Sequence, residues 1–128
     1  MATVPAPVAA WHALVESRDP AGLDALLADD CVFRSPAVHT PQQGKALTTA
    51  YLTAAMVVLG PTLRYVREWY AADSAVLEFE AVVDGRTVHG VDMLTWNPAG
   101  QLIDFTVMVR PFQGLTKLME QMAAQLSS

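Results

Sequence analysis

The chain has 128 residues, of which 52% are hydrophobic and 16% are charged, and its formal net charge is −5. This length suits one domain, and the composition supports a substantial core and argues against disorder. The acidic balance, without any basic stripe, argues against nucleic acid and against an anionic membrane surface as partners. We therefore expect one domain over residues 1–128 that binds neither.

The chain offers no pattern for a disulfide, a metal or a cofactor. Cys31 is its one cysteine, and no Cys/His ligand spacing or Gly-rich phosphate loop is present, so we expect none of the three. Residues 1–7 lack a basic region and are interrupted by prolines, unlike a signal peptide. The longest apolar stretch, residues 54–59, is too short to span a bilayer. We therefore expect a cytoplasmic protein, of bacterial origin.

The first half of the chain is predicted to be mainly helical. Apolar spacing predicts a helix over residues 8–18, and Asp19 followed by Pro20 predicts the N-cap and first position of a second helix. The second helix is expected to end at residues 29–30. A short strand over residues 31–34 and a third helix over 45–59 follow, separated by a loop that contains prolines.

The second half is predicted to be an antiparallel meander followed by a helix. Alternating apolar and polar residues predict four strands, over residues 63–70, 75–83, 87–96 and 101–110. Asp84-Gly85 is a two-residue hairpin signal, and residues 115–126 form an amphipathic C-terminal helix. Helices that are segregated from strands define an α+β fold, in which the N-terminal helices wrap the concave side of a curved antiparallel sheet and enclose a cavity.

Asp92 is the most informative residue, because it lies inside a strand that is packed on both faces. A carboxylate there is costly to bury unless it is paired, hydrogen-bonded or protonated. If Asp92 faces the cavity, alternation places Val88, Gly90 and Leu94 on the same side. Desolvation would raise its pKa, so that it could act as an acid or a proton shuttle. The alternative is a carboxylate satisfied by Trp11 or a backbone N–H, without chemistry.

The order of elements and several short motifs resemble the NTF2-like superfamily, which includes the SnoaL-like polyketide cyclases and ketosteroid isomerase. The resemblance covers nearly the whole chain and implies an NTF2-like cone around a pocket. It rests on residues 11–19, 26–33, 35–36, 44–47, 91–94, 96–103 and 109–111.

Ketosteroid isomerase gives the most useful comparison for the site. In that family a tyrosine on the first helix and a strand aspartate donate to the oxyanion, and an aspartate before a proline is the general base. Trp11, Asp92 and Ser35 match these places. Serine without a base cannot shuttle a proton, so His39 is the candidate for the missing base. Asp92 also matches the strand aspartate that SnoaL-like cyclases use as acid/base.

An apolar pocket for a small hydrophobic ligand is therefore expected. Trp11, Ser35, Tyr51 and Met56 would help to wall it, and Arg34 could pair with Asp92 or with a ligand carboxylate. For Trp11, Tyr51 and Met56 the alternative is core packing, and for Arg34 and His39 it is an exposed surface position. The other expected lining residues lie on the strands: Leu77, Phe79, Val88, Gly90, Phe105, Val107 and Val109. His12 turns away from this stripe and is left out of the site.

The outer face of the sheet is expected to carry charges of both signs, and the resemblance implies that it forms a homodimer. A solvated sheet face is the alternative. The residues expected there are Glu78, Glu80, His89, Asp104, Thr106 and Arg110, with Met93 and Met108 between them.

Three functions remain open at this point. The first is a SnoaL-like enzyme that isomerises or cyclises an apolar carbonyl compound by proton transfer, with Asp92 as acid/base or oxyanion partner. The second is a non-catalytic binder of a small hydrophobic ligand. The third is a structural dimerisation domain whose cavity is filled by its own side chains.

Overall fold

The computed structural model describes residues 3–127. The segment in which we expect no signal peptide begins with Met1 and Ala2, which lie outside the described residues. Helices cover one face of a curved six-stranded mixed sheet, which confirms the predicted α+β, NTF2-like architecture. None of the helices in this part of the chain has the length and hydropathy that a bilayer span requires. The elements are α1 Ala6–Ser17, α2 Leu23–Leu26, β1 Leu27–Arg34, β2 Gln42–Gln43, α3 Lys45–Leu59, β3 Arg64–Tyr70, β4 Ser74–Val83, β5 Arg86–Trp96, β6 Leu102–Arg110 and α4 Phe112–Leu126.

The sheet has the strand order β2-β1-β6-β5-β4-β3. Strands β3 to β6 form the predicted antiparallel meander. Its Asp84-Gly85 turn has φ angles of 49° and 75°, and the left-handed conformation at both central residues is that of a type I′ hairpin. Strand β1 pairs parallel to β6, so the sheet is mixed and not wholly antiparallel as the sequence predicts.

The second helix is shorter than predicted, and the first strand is longer. Asp19 does cap this region, since its Oδ1 accepts a hydrogen bond from Ala21 N at 3.0 Å. A 3-10 turn and the short helix α2 follow, but the chain becomes extended at Leu27 instead of continuing to residues 29–30. Leu27 pairs with Leu102 in β6, and this tertiary pairing outweighs the helical spacing of the leucines. Helix α4 also begins at Phe112, earlier than the predicted residue 115.

Strand register fixes which side chains share the concave face. Leu77, Asp92 and Val107 lie opposite one another in β4, β5 and β6, so Asp92 projects from the face that the helices cover. The next row contains Gly90, where an added Cβ would lie 2.7 Å from Phe79 Cζ and 2.5 Å from a backbone oxygen of β6. Glycine at this position therefore allows the buried Phe79 ring to pack across β5.

Candidate active site

A cavity of about 230 Å³ lies between the concave face of the sheet and helices α1, α3 and α4. Its wall is almost wholly apolar. In residues 3–127, Asp92 is the one carboxyl group on this wall, and no Lys, Arg or His side chain lines the cavity. The exposed lining residues Val38, Met119 and Leu126 mark the rim, so the cavity opens between α4 and the loop after β1.

Three side chains from three different elements form a chain of hydrogen bonds at the cavity. Trp11 Nε1 on α1 donates to the Tyr65 hydroxyl at 2.8 Å. The Tyr65 hydroxyl, from β3, in turn donates to Asp92 Oδ2 at 2.5 Å. Oδ2 is therefore occupied, which leaves Asp92 Oδ1 as the carboxyl oxygen available to a ligand.

Local packing aims these groups at one another. The buried side of α1 carries Val8 and Trp11, and the Trp11 ring packs edge-on against Phe105 with ring centroids 4.9 Å apart. Tyr65 lies opposite Phe79 in the sheet, and the register of β3 shifts directly after it. Tyr65 thus faces inward, and its hydroxyl reaches the carboxyl group of Asp92.

The surroundings of Asp92 tune its acidity. Burial raises the pKa of Asp92 from 3.8 to about 7, and the hydrogen bond from Tyr65 opposes that rise. Both protonation states are therefore populated near neutral pH. Burial, and then the charge of Asp92, raise the pKa of Tyr65 well above 10.0. Tyr65 consequently stays protonated and serves as a hydrogen-bond donor.

The structure brings together seven of the residues expected at the site. They form one continuous wall with Tyr65 around the carboxyl group. Ser35 is one of them, but its Oγ accepts a hydrogen bond from Ala37 N at 3.1 Å within the loop. The seven are Trp11, Ser35, Tyr51, Met56, Asp92, Phe105 and Val107.

Two polar residues expected at the site lie elsewhere. His39 is exposed and does not line the cavity. Arg34 points to the outer face of the sheet, where its Nε lies 2.8 Å from Asp104 Oδ2, so it does not pair with Asp92. Period-2 alternation explains this placement, because Arg34 follows the inward-facing Phe33. His12, which was left out of the site, pairs with Glu68 at 2.6 Å and packs its ring edge-on against Tyr65.

Five apolar residues expected on the wall are instead packed beside the cavity. Phe79 and Val88 are fully buried in a cluster with Leu118 of α4, and Val109 packs against that cluster. Leu77 is fully buried in the other core cluster. The Phe79 ring covers Gly90. Helix α4 therefore covers Phe79, Val88 and Val109, whereas Leu77 is covered within the other cluster.

Tyr65 and helix α4 are among the contributors to the site that sequence reasoning missed. Tyr65 lies two residues after Leu63 in the predicted strand, so alternation indicates that both face inward. The sequence does not indicate the strand register that brings Tyr65 to Asp92. Helix α4 supplies five lining residues that were predicted only as an amphipathic face. These are Leu118, Met119, Met122, Ala123 and Leu126.

The part of the chain that the structure describes contains no group of three His, Cys, Asp or Glu side chains placed to hold a metal ion. Cys31 is buried, and burial raises the pKa of its thiol, which disfavours the reactive thiolate. Among the described residues, the ionisable side chains on the cavity wall are Tyr51, Tyr65 and Asp92.

The sequence matches the model of the SnoaL-like domain over residues 8–123. The chain therefore belongs to the SnoaL-like family, within the NTF2-like superfamily, as the sequence motifs predicted. No curated protein matches the sequence.

Solved structures agree with this assignment. The chain is similar to a steroid delta-isomerase from Pseudomonas aeruginosa, with 40% identity and a TM-score of 0.91 over 95% of this chain and 90% of that one. An uncharacterised conserved protein with a cystatin-like fold from Silicibacter pomeroyi DSS-3 is 28% identical, with a TM-score of 0.89 over 96% and 86% of the two chains. A protein with a ketosteroid isomerase-like fold from Catenulispora acidiphila DSM 44928, in complex with trimethylamine, shares the fold at 16% identity and a TM-score of 0.67, over 88% and 91%.

Proposed function

We propose that this protein is a cofactor-independent enzyme of the isomerase or cyclase kind, which moves a proton on an apolar carbonyl compound bound in the cavity. The observation that carries the proposal is the placement of Asp92: one buried carboxyl group, with a pKa of about 7, on an apolar wall. A general acid or base works best when its pKa lies near the operating pH. The family and the name of the Pseudomonas aeruginosa relative are consistent with this class of reaction.

The hydrogen-bond chain gives Asp92 two complementary roles. In its ionised form, Oδ1 can accept a proton from the carbon next to the ligand carbonyl while Tyr65 continues to donate to Oδ2. In its protonated form, Asp92 can return that proton to another carbon, or donate to the ligand oxygen where negative charge develops. Since no other carboxyl group and no basic side chain lines the cavity in residues 3–127, and Tyr65 stays protonated, we assign both removal and return of the proton to Asp92.

A non-catalytic binder is the second candidate, and one observation favours it. The place of the general base is taken by Ser35, whose hydroxyl is engaged with a backbone N–H, and His39 lies outside the cavity. The structural alternative required a cavity filled by its own side chains, whereas about 230 Å³ is open. Turnover by Asp92 is thus the property that separates the remaining two candidates.

Deuterium exchange tests turnover without knowledge of the natural substrate. We expect the protein to accelerate the incorporation of deuterium from D₂O at the carbon next to the carbonyl of 2-tetralone, followed by proton NMR. Asp92→Asn should lower this catalysed rate at least about tenfold, because the amide cannot accept the proton. The matched surface variant Asp73→Asn, at an exposed turn residue, should exchange at the rate of the natural chain. Equal rates with and without protein would leave only the binder.

We further propose that the protein acts as a cytoplasmic homodimer that pairs through the outer face of the sheet. The charges of this face are largely balanced within the chain, since Glu78 binds both Arg67 and His89. The Arg67 guanidinium lowers the pKa of Glu78 to about 2 and His89 adds to the effect, so the carboxylate persists at neutral pH. On the same face Met108 is 57% exposed and lies opposite Val91, which leaves an apolar centre for a partner to cover.

Sedimentation velocity tests the dimer. Met108→Glu places a charge at the apolar centre of the outer face and should convert a dimer into a monomer at micromolar concentration. Val57→Glu is the matched control, because Val57 is an equally exposed apolar residue on α3, with 53% exposure, away from the sheet face. A natural chain that sediments as a monomer would contradict the proposal, as would dissociation by both variants.

A further inference from the structure

We infer that the site takes a neutral compound of one or two rings, with about ten non-hydrogen atoms and a single carbonyl oxygen at one end, rather than a four-ring steroid. The inference rests on the proposed function for the role of the carbonyl group. It goes further in assigning the size, the charge and the shape of the ligand.

The volume of the cavity sets the size of the ligand. A dry apolar cavity of about 150 Å³ is enough to bind benzene. The cavity of this protein measures about 230 Å³. The same ratio of volume to atoms corresponds to about nine or ten non-hydrogen atoms, which is the size of a two-ring ketone. A four-ring steroid is roughly twice as large and could not be enclosed without displacement of a wall.

The distribution of polar groups sets the charge of the ligand. Trp11, Tyr65 and Asp92 form a single hydrogen-bonded chain, so the strongest polar contacts of the cavity lie at one point. An anionic group on the ligand would find no counter-ion, because no basic side chain in the described part of the chain lines the cavity. An anionic ligand would also be repelled by the ionised form of Asp92. A neutral oxygen is the polar feature that the wall can satisfy at Asp92.

The side walls favour a flat ring. On one side, the rings of Phe33 and Tyr51 stack with centroids 5.2 Å apart, and Phe105 joins them to Trp11. The other walls include the thioether side chains Met56, Met119 and Met122 from α3 and α4. Aromatic rings and thioethers both make favourable contacts with the face and edge of a planar, polarisable ring.

A ligand series on the natural chain tests the inference. We would measure the dissociation constants of 2-cyclohexenone, 2-tetralone and a four-ring steroid monoketone by isothermal titration calorimetry. Affinity should rise at least about tenfold from one ring to two, because more apolar surface is buried. It should then fall at least about tenfold for four rings, which exceed the cavity. A four-ring ketone that binds more tightly than 2-tetralone would overturn the inference, as would no binding by any of the three.

A matched pair of variants shows where the ketone binds. Ala55 lines the cavity on α3, whereas Ala50 lies on the same helix and is exposed. Ala55→Leu should weaken 2-tetralone binding at least about tenfold by filling the cavity, and Ala50→Leu should leave it unchanged. Equal affinity in both would overturn the inference. If Ala55→Leu does not fold, the ligand series on the natural chain decides alone.

Binding and turnover separate the two proposals. A size limit in binding without deuterium exchange would leave the ligand class standing and remove the enzyme. Exchange that proceeds fastest on the four-ring ketone would keep the enzyme and remove the ligand class.

Discussion

The Asp92→Asn variant is expected to be more stable than the natural chain at about pH 8, by about 4 kcal/mol, and equally stable at about pH 4. The pKa of Asp92 rises from 3.8 to about 7 on folding, and one pKa unit corresponds to about 1.4 kcal/mol. At a pH between these two pKa values, Asp92 keeps its proton in the folded chain and releases it in the unfolded chain. Stability from Asp92 is therefore fully present below about pH 4 and is lost as the pH rises through about 7.

Urea unfolding at a series of pH values measures this effect. The difference between Asp92→Asn and the natural chain isolates Asp92, because other groups, such as Glu78, titrate in both proteins. Asp73→Asn makes the same substitution at an exposed turn residue and should differ from the natural chain by less than about 0.5 kcal/mol throughout. If the difference for Asp92→Asn is constant with pH, Asp92 does not have the raised pKa on which its proposed role depends.

A carboxyl group that costs stability at neutral pH needs a reason in function. The asparagine variant keeps an oxygen that can accept the hydrogen bond from Tyr65, so packing and hydrogen bonding give no advantage to the acid. The property that distinguishes aspartic acid from asparagine here is the ionisable proton. A variant that gains stability and loses deuterium exchange would show the trade-off between stability and activity that is common at active sites.

The sequence predicts the sheet and the residues that share a face with Asp92 because both depend on local patterns. Alternation has a period of two residues, so Val88, Gly90 and Leu94 follow Asp92 to its face without knowledge of other strands. The Asp84-Gly85 signal then fixes the β4–β5 pairing, which places Asp92 opposite Leu77. Family motifs add Trp11 and the loop at Ser35, both of which line the cavity.

The residues that were missed depend on contacts between distant elements. Tyr65 reaches Asp92 only because β3 shifts register beside it, and residue spacing contains no information about that shift. Strand β1 begins at Leu27 because β6 is available to pair with it, which overrides a helical pattern that is locally reasonable. Phe79 does face inward as alternation requires, but helix α4 covers it and so removes it from the cavity wall.

Tyr65→Phe is expected to destabilise the protein by about 2 to 4 kcal/mol, because it removes one hydroxyl that serves two buried groups. Trp11 is 4% exposed and Asp92 is 6% exposed. Without the hydroxyl, Trp11 Nε1–H loses its acceptor and Asp92 Oδ2 loses its donor. Leaving a buried polar group unpaired costs about 1 to 3 kcal/mol for each group.

The same substitution should also change the pH dependence. The hydrogen bond from Tyr65 lowers the pKa of Asp92, so its loss should raise that pKa above about 7. The pH midpoint of deuterium exchange should then move upward, which a purely structural role for Tyr65 would not cause. Tyr70→Phe is the matched control on the same strand, since the Tyr70 hydroxyl bonds Glu68 at 2.6 Å and lies outside the cavity.

A double-mutant cycle then measures whether Tyr65 and Asp92 act as a unit. The combined variant Tyr65→Phe with Asp92→Asn should give a free energy of unfolding that differs from the sum of the two single effects by at least about 0.5 kcal/mol. The coupling should depend on pH, because the hydroxyl stabilises the ionised carboxylate more than its protonated form. Additive effects at every pH would show that the short contact between the two groups carries no energy, and the proposed proton shuttle would lose the partner that holds it in place.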